Sequence, residues 1–327
     1  MEQFSAATVP GKWAVDMLPF LEHLPAWLPG TGFKQTAQHW KQTMQQVGEL
    51  PYRFAKNRGQ FSENQTSSFV AKSIAQAQQE NSFTTEDEHA IKWSAASMYT
   101  GGADTSVSTT AAFFLAMSKF PAVQLAAQEE LDRVIGTSRL PMASDRANLP
   151  YINAIVEEAQ RWHPIAPMGL AHCTDADDTI YSFRIPKGAL LLPAVWSFTR
   201  DPSVYHDPEV FKPERFLPPY NEPPATDVTF GFGRRICPGR ILAEASLFLT
   251  FAQALAAFRI EKVVGGDGMV VEPEHTFQSG IISHPGPFKV RVVPRSDRLR
   301  ELVEAVVREN PWVDSDARDI IGQVGKK

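Results

Sequence analysis

One stretch constrains this chain more than any other: Phe230-Gly231-Phe232-Gly233-Arg234-Arg235-Ile236-Cys237-Pro238-Gly239. Gly231 and Gly233 permit backbone angles that other residues avoid. Pro238 suits the first position of a helix, and the apolar run behind it predicts a helix from about Pro238 to Phe258. The stretch is therefore a glycine-rich turn that delivers one sulfur to a helix start. Free N–H groups and the positive dipole end stabilise a thiolate there, and Arg235 adds charge two residues away. The residues alone allow three roles for Cys237. It can be a thiolate ligand for a cofactor, a redox-active or nucleophilic thiol, or a buried structural cysteine, which is the commonest fate of a free Cys.

Composition narrows the setting. The chain has 327 residues, a formal net charge of -5 and 43% hydrophobic residues, which suits a protein that buries a core. Mild acidity argues against nucleic acid as a main partner, because phosphate binding wants clustered Lys and Arg. The only cysteines are Cys173 and Cys237. Two are too few for a disulfide framework and fit a reducing, intracellular compartment, although they could still pair. The start lacks a basic stretch followed by an apolar run, so no signal peptide is read. The best candidate for a membrane span, Ile241 to Phe258, carries Glu244, Ser246, Thr250 and Gln253 and reads as a buried core helix. No membrane span is expected.

Along the chain, residues 1–35 are too rich in proline to form one long helix. A helical pattern follows from about Phe33 to Gln79. Thr85 and Glu88 have capping-box spacing and open a long helix to about Phe120, where Pro121 stops it and starts the next, which ends at Gly136. Another helix covers about Tyr151 to Trp162 and stops before Pro164. Pro167 to Pro193 reads as a small sheet, Asp201 to Asp227 as irregular, Arg259 to Val293 as hairpins, and Asp297 to Asn310 as a charged helix. No linker marks a boundary, so residues 1–327 are expected to form a single domain, mainly α with a small β part, ending in a charged tail at 295–327.

Two further patterns carry weight. Glu158 and Arg161 lie three apart on a helix and share a face; taken alone this is most often a solvated pair. Gly101-Gly102-Ala103-Asp104-Thr105-Ser106 interrupts the long helix with two glycines, each costing roughly 1 kcal/mol relative to Ala. Either the pair allows close helix packing, or it marks a helix locally opened beside a ligand.

The positions Phe230, Gly233, Arg235, Cys237 and Gly239 together resemble the haem-binding signature of the cytochromes P450. The resemblance implies a P450-type fold, haem b as cofactor and Cys237 as the axial thiolate, with Arg235 on a haem propionate. Glu158, Ala159, Gln160 and Arg161 resemble the family's Glu-x-x-Arg helix, and Pro213-Glu214-Arg215-Phe216 its meander. Glu158, Arg161 and Arg215 are thereby implied to form a buried ion network. The glycine-pair segment resembles the oxygen-binding groove, with Thr105 implied to hydrogen-bond dioxygen and Asp104 to relay protons. His172 stands where a basic residue of the family often meets a propionate.

The resemblance implies a monooxygenase that inserts one oxygen atom from dioxygen into a small, hydrophobic organic substrate. Its texture is that of fungal secondary metabolism. Electrons would come from NADPH through a separate cytochrome P450 reductase, since no flavin or nicotinamide motif is seen. Family members sit on the cytoplasmic face of the endoplasmic reticulum. The resemblance runs from about Glu86 to Pro294, residues 1–80 look like the family's middle helices, and the N-terminal part of the family fold, with its anchor, is expected to be missing. Two alternatives stay open: a truncated non-catalytic fragment or partner-dependent haem protein, and a haem-thiolate isomerase or peroxygenase. The Asp104–Thr105 pair favours oxygen activation over the second.

Overall fold

The computed structural model describes residues 2–9, 11–59, 68–80, 83–278, 280–312 and 320. The expected helical pattern at residues 60–67 and the tail at 313–319 and 321–327 lie outside the described residues. Contacts divide the chain into two compact units. One holds the described residues up to Ala103 with Trp312 and Ile320, and the other runs from Asp104 to Pro311.

The first unit is helical. It comprises α1 (Glu2–Thr8), α2 (Ala14–Met17), α3 (Gly32–Gly59), α4 (Phe69–Gln79) and the first half of α5 (Thr85–Lys119). Charge and packing join α3 to α5. Glu49 accepts from Lys92 at 2.7 Å and Tyr52 donates to Glu88 at 3.0 Å. Gly48 lets the Trp93 ring approach, since a Cβ there would lie 3.1 Å from it. The capping box of α5 is Thr84 with Asp87, not Thr85 with Glu88: the Thr84 hydroxyl accepts from Asp87 N, and Asp87 Oδ2 accepts from Thr84 N. Both pairs have the required spacing, and Glu88 is drawn instead to Tyr52 and Lys56.

The second unit continues α5 and turns by 103° at Pro121 into α6 (Pro121–Val134). Then come α7 (Pro150–Trp162), β1 (His172–Cys173), β2 (Asp178–Ile180), β3 (Phe183–Ile185), β4 (Leu190–Leu191), α8 (Val195–Phe198) and α9 (Thr226–Thr229). The unit ends with α10 (Arg240–Ala257), β5 (Phe258–Val264), β6 (Val270–Val271), β7 (Val290–Pro294) and α11 (Asp297–Glu309). The strands form two antiparallel pairs, β1–β4 and β2–β3, and an antiparallel sheet β6-β5-β7. The mainly helical expectation with a small β part therefore holds.

The core sits among α5, α6, α7 and α10. On α7, Ile152, Ile155, Ala159 and Trp162 recur at helical spacing and are fully or almost fully buried. Phe113 of α5 stacks on Phe251 of α10 with centroids 3.9 Å apart. Gln124 of α6 acts like a strand partner to β5, donating to Ile260 O at 2.9 Å and accepting from Ile260 N at 2.7 Å. That satisfies buried backbone groups that would otherwise be costly. Glu130 of α6 caps α7 by accepting from Tyr151 N and Ile152 N. Length and composition alone would let α10 cross a membrane. Its second half, from Leu247 to Ala257, is built into the core.

Candidate functional site

The cysteine loop begins where α9 ends at Phe230. Gly231 has φ +78° and Gly233 φ +54°, the left-handed region that costs other residues roughly 1–2 kcal/mol. Between them they reverse the chain, and a single turn of 3-10 helix spans Gly233–Arg235. Cys237 N then donates to Phe230 O at 2.8 Å and closes the loop. The helix α10 starts at Arg240 with Gly239 as its N-cap, two residues later than Pro238 as expected from proline's preference for the first turn. Pro238 is spent on leaving the loop. Cys237 is exposed, and neither it nor Cys173 is in a disulfide. It stands just before the positive end of α10. Arg234 and Arg235 are exposed and form no ion pair among the described residues. Among the described residues Cys237 is therefore not buried.

Behind the loop, α7 presents two adjacent carboxylates to two different segments. Glu157 accepts from Thr226 N at 3.1 Å and Thr226 Oγ1 at 3.0 Å, which fixes the start of α9 and so the entry to the loop. Burial holds its carboxyl above the usual range. Glu158 is fully buried and accepts four hydrogen bonds. Two come from Arg161, at 2.7 and 2.8 Å, one from Arg215 at 3.1 Å and one from Lys212 N at 2.8 Å. Arg161 also donates to Thr199 O, and Arg215 to His206 O. Arg215 pairs in addition with Glu222 at 2.7 Å. Burial pushes Glu222 up, but the bonds from Arg215 and His206 together outweigh it and leave its carboxyl below the usual range. Two arginines and two glutamates therefore balance in a buried cluster. The pair that sequence spacing alone would place in solvent is fully buried.

Asp104 and Thr105 lie on α5, partly buried. The helix is continuous through Gly101 and Gly102, so the expected local opening is not found. Close packing does not explain the pair either, since a Cβ at Gly101 or Gly102 would meet nothing within 4 Å. Asp104 Oδ2 meets His284 Nε2 at 3.1 Å. His172 is exposed on β1 opposite Leu191 of β4, and among the described residues it makes no ion pair.

The structure thus brings together Glu158, Arg161 and Arg215, and closes Phe230, Gly233, Cys237 and Gly239 into one loop. The core stack of Phe113 on Phe251 packs α5, which bears Asp104, directly against α10, which the loop opens. Sequence reasoning missed Glu157, Glu222 and His284. Each acts through a partner at a separation that no periodicity encodes, apart from Glu157, whose place beside Glu158 was a signal.

These residues fit haem as an implied ligand. A lone exposed thiol at a helix start is the soft donor that haem iron takes as a thiolate. Two exposed arginines, Arg234 and Arg235, precede it and are able to meet carboxylates. The glycine pair leaves a bare strip of α5, and Val107, one turn beyond Asp104, exposes an apolar side chain.

Comparison with known proteins agrees. A model of the family described as cytochrome P450 matches residues 11–292. The match thus begins well before Glu86. The chain is similar to cytochrome P450 monooxygenase claR of Ampulloclitocybe clavipes, at 42% identity over 98% of this chain and 59% of that protein. It is similar to O-methylsterigmatocystin oxidoreductase of Aspergillus flavus, at 41% identity over 98% of this chain and 60% of that one. Among solved structures, a zebra fish cytochrome P450 with abiraterone has a TM-score of 0.58 and 30% identity, covering 66% of this chain and 50% of that one. The chain spans about three fifths of the length of the curated relatives it matches.

Proposed function

We propose that this chain, which belongs to the cytochrome P450 family, serves a haem-thiolate monooxygenase reaction in which Cys237 would hold the iron of haem b as a thiolate. The observation that carries this is the loop itself: left-handed Gly231 and Gly233 present an exposed, unpaired thiol at the start of α10. When bound, haem supplies the oxygen-activating iron, and a thiolate ligand favours O–O cleavage. This chain's residues do the rest. Arg235 would meet a propionate with its guanidinium, and His172 would offer one a ring N–H. Glu157 and the Glu158–Arg161–Arg215–Glu222 cluster hold the segments on either side of the loop in place, fixing geometry more than adding stability. Asp104 relays a proton to the Thr105 hydroxyl, which passes one on toward dioxygen.

The overall reaction takes one molecule of dioxygen, two electrons and two protons, places one oxygen atom in the substrate and releases the other as water. The electrons come from NADPH through a separate reductase. The substrate is a small, largely apolar molecule of fungal secondary metabolism, a reading supported by relatives such as the Aspergillus flavus oxidoreductase. The endoplasmic reticulum surface, where the family is generally found, is the proposed location. The match from residue 11 to residue 292 supports reading both units as one P450-type domain.

The test is turnover of haem-loaded chain with NADPH, reductase and isotopically labelled dioxygen. Incorporation of one labelled atom into product supports the proposal. Product formed without NADPH or dioxygen would favour an isomerase or peroxygenase, and failure to take up haem would favour the non-catalytic fragment.

A further inference from the structure

We infer that His284 is the positioning residue for Asp104 and the group through which solvent protons reach it. The inference rests on the proposed oxygen-activating role of the Asp104–Thr105 pair.

Its physical basis is a built contact between segments 180 residues apart in sequence. Ser108 of α5, fully buried, donates to Ser283 O at 2.6 Å. Ser283 N donates to Ile165 O at 2.7 Å, and His163 Nε2 donates to Ser283 O at 3.2 Å. The backbone at Ser283 is thus held by α5, by the end of α7 and by the segment after it. Asp104 lies one turn before Ser108, so both share a face of α5. Consecutive residues of the second segment meet this face: Ser283 meets Ser108, and His284 meets Asp104 at 3.1 Å. Behind His284, Gln278 N donates to His284 O at 2.8 Å and Gly286 N to Thr276 O at 2.7 Å. A Cβ on Gly286 would fall 2.0 Å from Thr276 Oγ1, so any other residue there would push the Thr276 side chain aside.

The contact sets a carboxylate and an imidazole side by side. His163 and His275 are pushed down to about 4, chiefly by burial, and stay neutral. Arg200 is pushed down to about 10 by burial and stays charged. Lys119 is engaged with Pro273 O. His284 and Asp104 are each about one quarter exposed, enough to meet water without being free in it. With Nε2–H donating to Oδ2, the other ring nitrogen is the acceptor. A proton arriving there from water lets the Nε2 proton pass to Asp104, and the imidazole ends neutral with its tautomer exchanged. Asp104 then gives that proton to Thr105. No oxidant or reductant is needed.

The test uses the haem-loaded chain and two variants, His284→Gln, which keeps an N–H donor but cannot exchange tautomers, and His284→Phe, which does neither. Both should keep the substrate KM and the thiolate-type spectrum. In His284→Phe, product per dioxygen consumed should fall about tenfold, less than the roughly 100- to 10,000-fold of a directly acting acid, with the deficit released as hydrogen peroxide. His284→Gln should fall between, and both should show a larger solvent deuterium isotope effect on kcat. Independently, nitrogen NMR of the histidine rings in the haem-free chain should show His284 alone changing its ring shifts in Asp104→Asn. Unchanged His284 shifts would overturn the inference. So would full coupling in His284→Phe with the thiolate-type spectrum intact. If wild type gives no such spectrum, the monooxygenase reading fails, and the NMR result still decides the contact.

Discussion

Removing the Glu158 carboxylate should be among the most damaging single changes in this chain. Glu158 is fully buried and accepts from Arg161 twice, from Arg215 and from Lys212 N. With Glu222 it balances two buried guanidiniums. Glu158→Ala leaves the buried Arg161 and Arg215 facing one carboxylate. Breaking a buried pair from one side costs about 3–5 kcal/mol. That is a large share of the roughly 5–15 kcal/mol that hold a typical domain folded. For a unit of this size, about 4 kcal/mol lowers Tm by roughly 8–16 °C. The assay is urea and thermal unfolding of wild type, Glu158→Ala, Arg161→Ala and the double variant. The singles should each lose several kcal/mol, and the double should lose less than their sum by about 1 kcal/mol or more. Single losses below about 1 kcal/mol that simply add would refute the reasoning, because they would mean the cluster is hydrated.

Other outcomes follow from the same structure. His163 is held near 4 by burial, so it binds fewer protons folded than unfolded; its contribution is fully present above about 6.5 and is lost as pH falls toward about 4. The loss should reach roughly 3 kcal/mol, and pH-dependent unfolding of His163→Phe should show a flatter decline over that window. Gly169→Ala should cost about 2–4 kcal/mol, read from the urea midpoint, because Gly169 has φ +57° and a Cβ there would lie 2.3 Å from Pro193 Cγ. Glu157→Ala should release Thr226 and loosen α9, raising hydrogen exchange at Phe230 to Cys237 while α7 itself stays protected.

What was legible in the sequence were features whose physics is local. Pro121 and Gly136 bounded α6, Pro164 ended α7, and the glycine spacing before Cys237 drew the loop. Boundaries slipped where two residues could do one job. Thr84 and Thr85 both fit the cap, and Pro238 suited a helix start that falls at Arg240, behind the N-cap Gly239. Glu158, Arg161 and Arg215 were found through resemblance, since spacing alone would have left the first two in solvent. Glu222 and His284 were hidden because their partners, Arg215 and Asp104, reach them through the folding of irregular segments. Only the tertiary path decides such pairs.

The central claim is that Cys237 delivers a thiolate to haem iron. It is tested most directly by the reduced carbon-monoxide spectrum of the haem-loaded chain, wild type beside Cys237→Ala and Cys173→Ala. Wild type and Cys173→Ala should show a thiolate-type Soret band, and Cys237→Ala should lose it. A band that survives in Cys237→Ala, or haem bound by wild type without a thiolate signature, would contradict the claim.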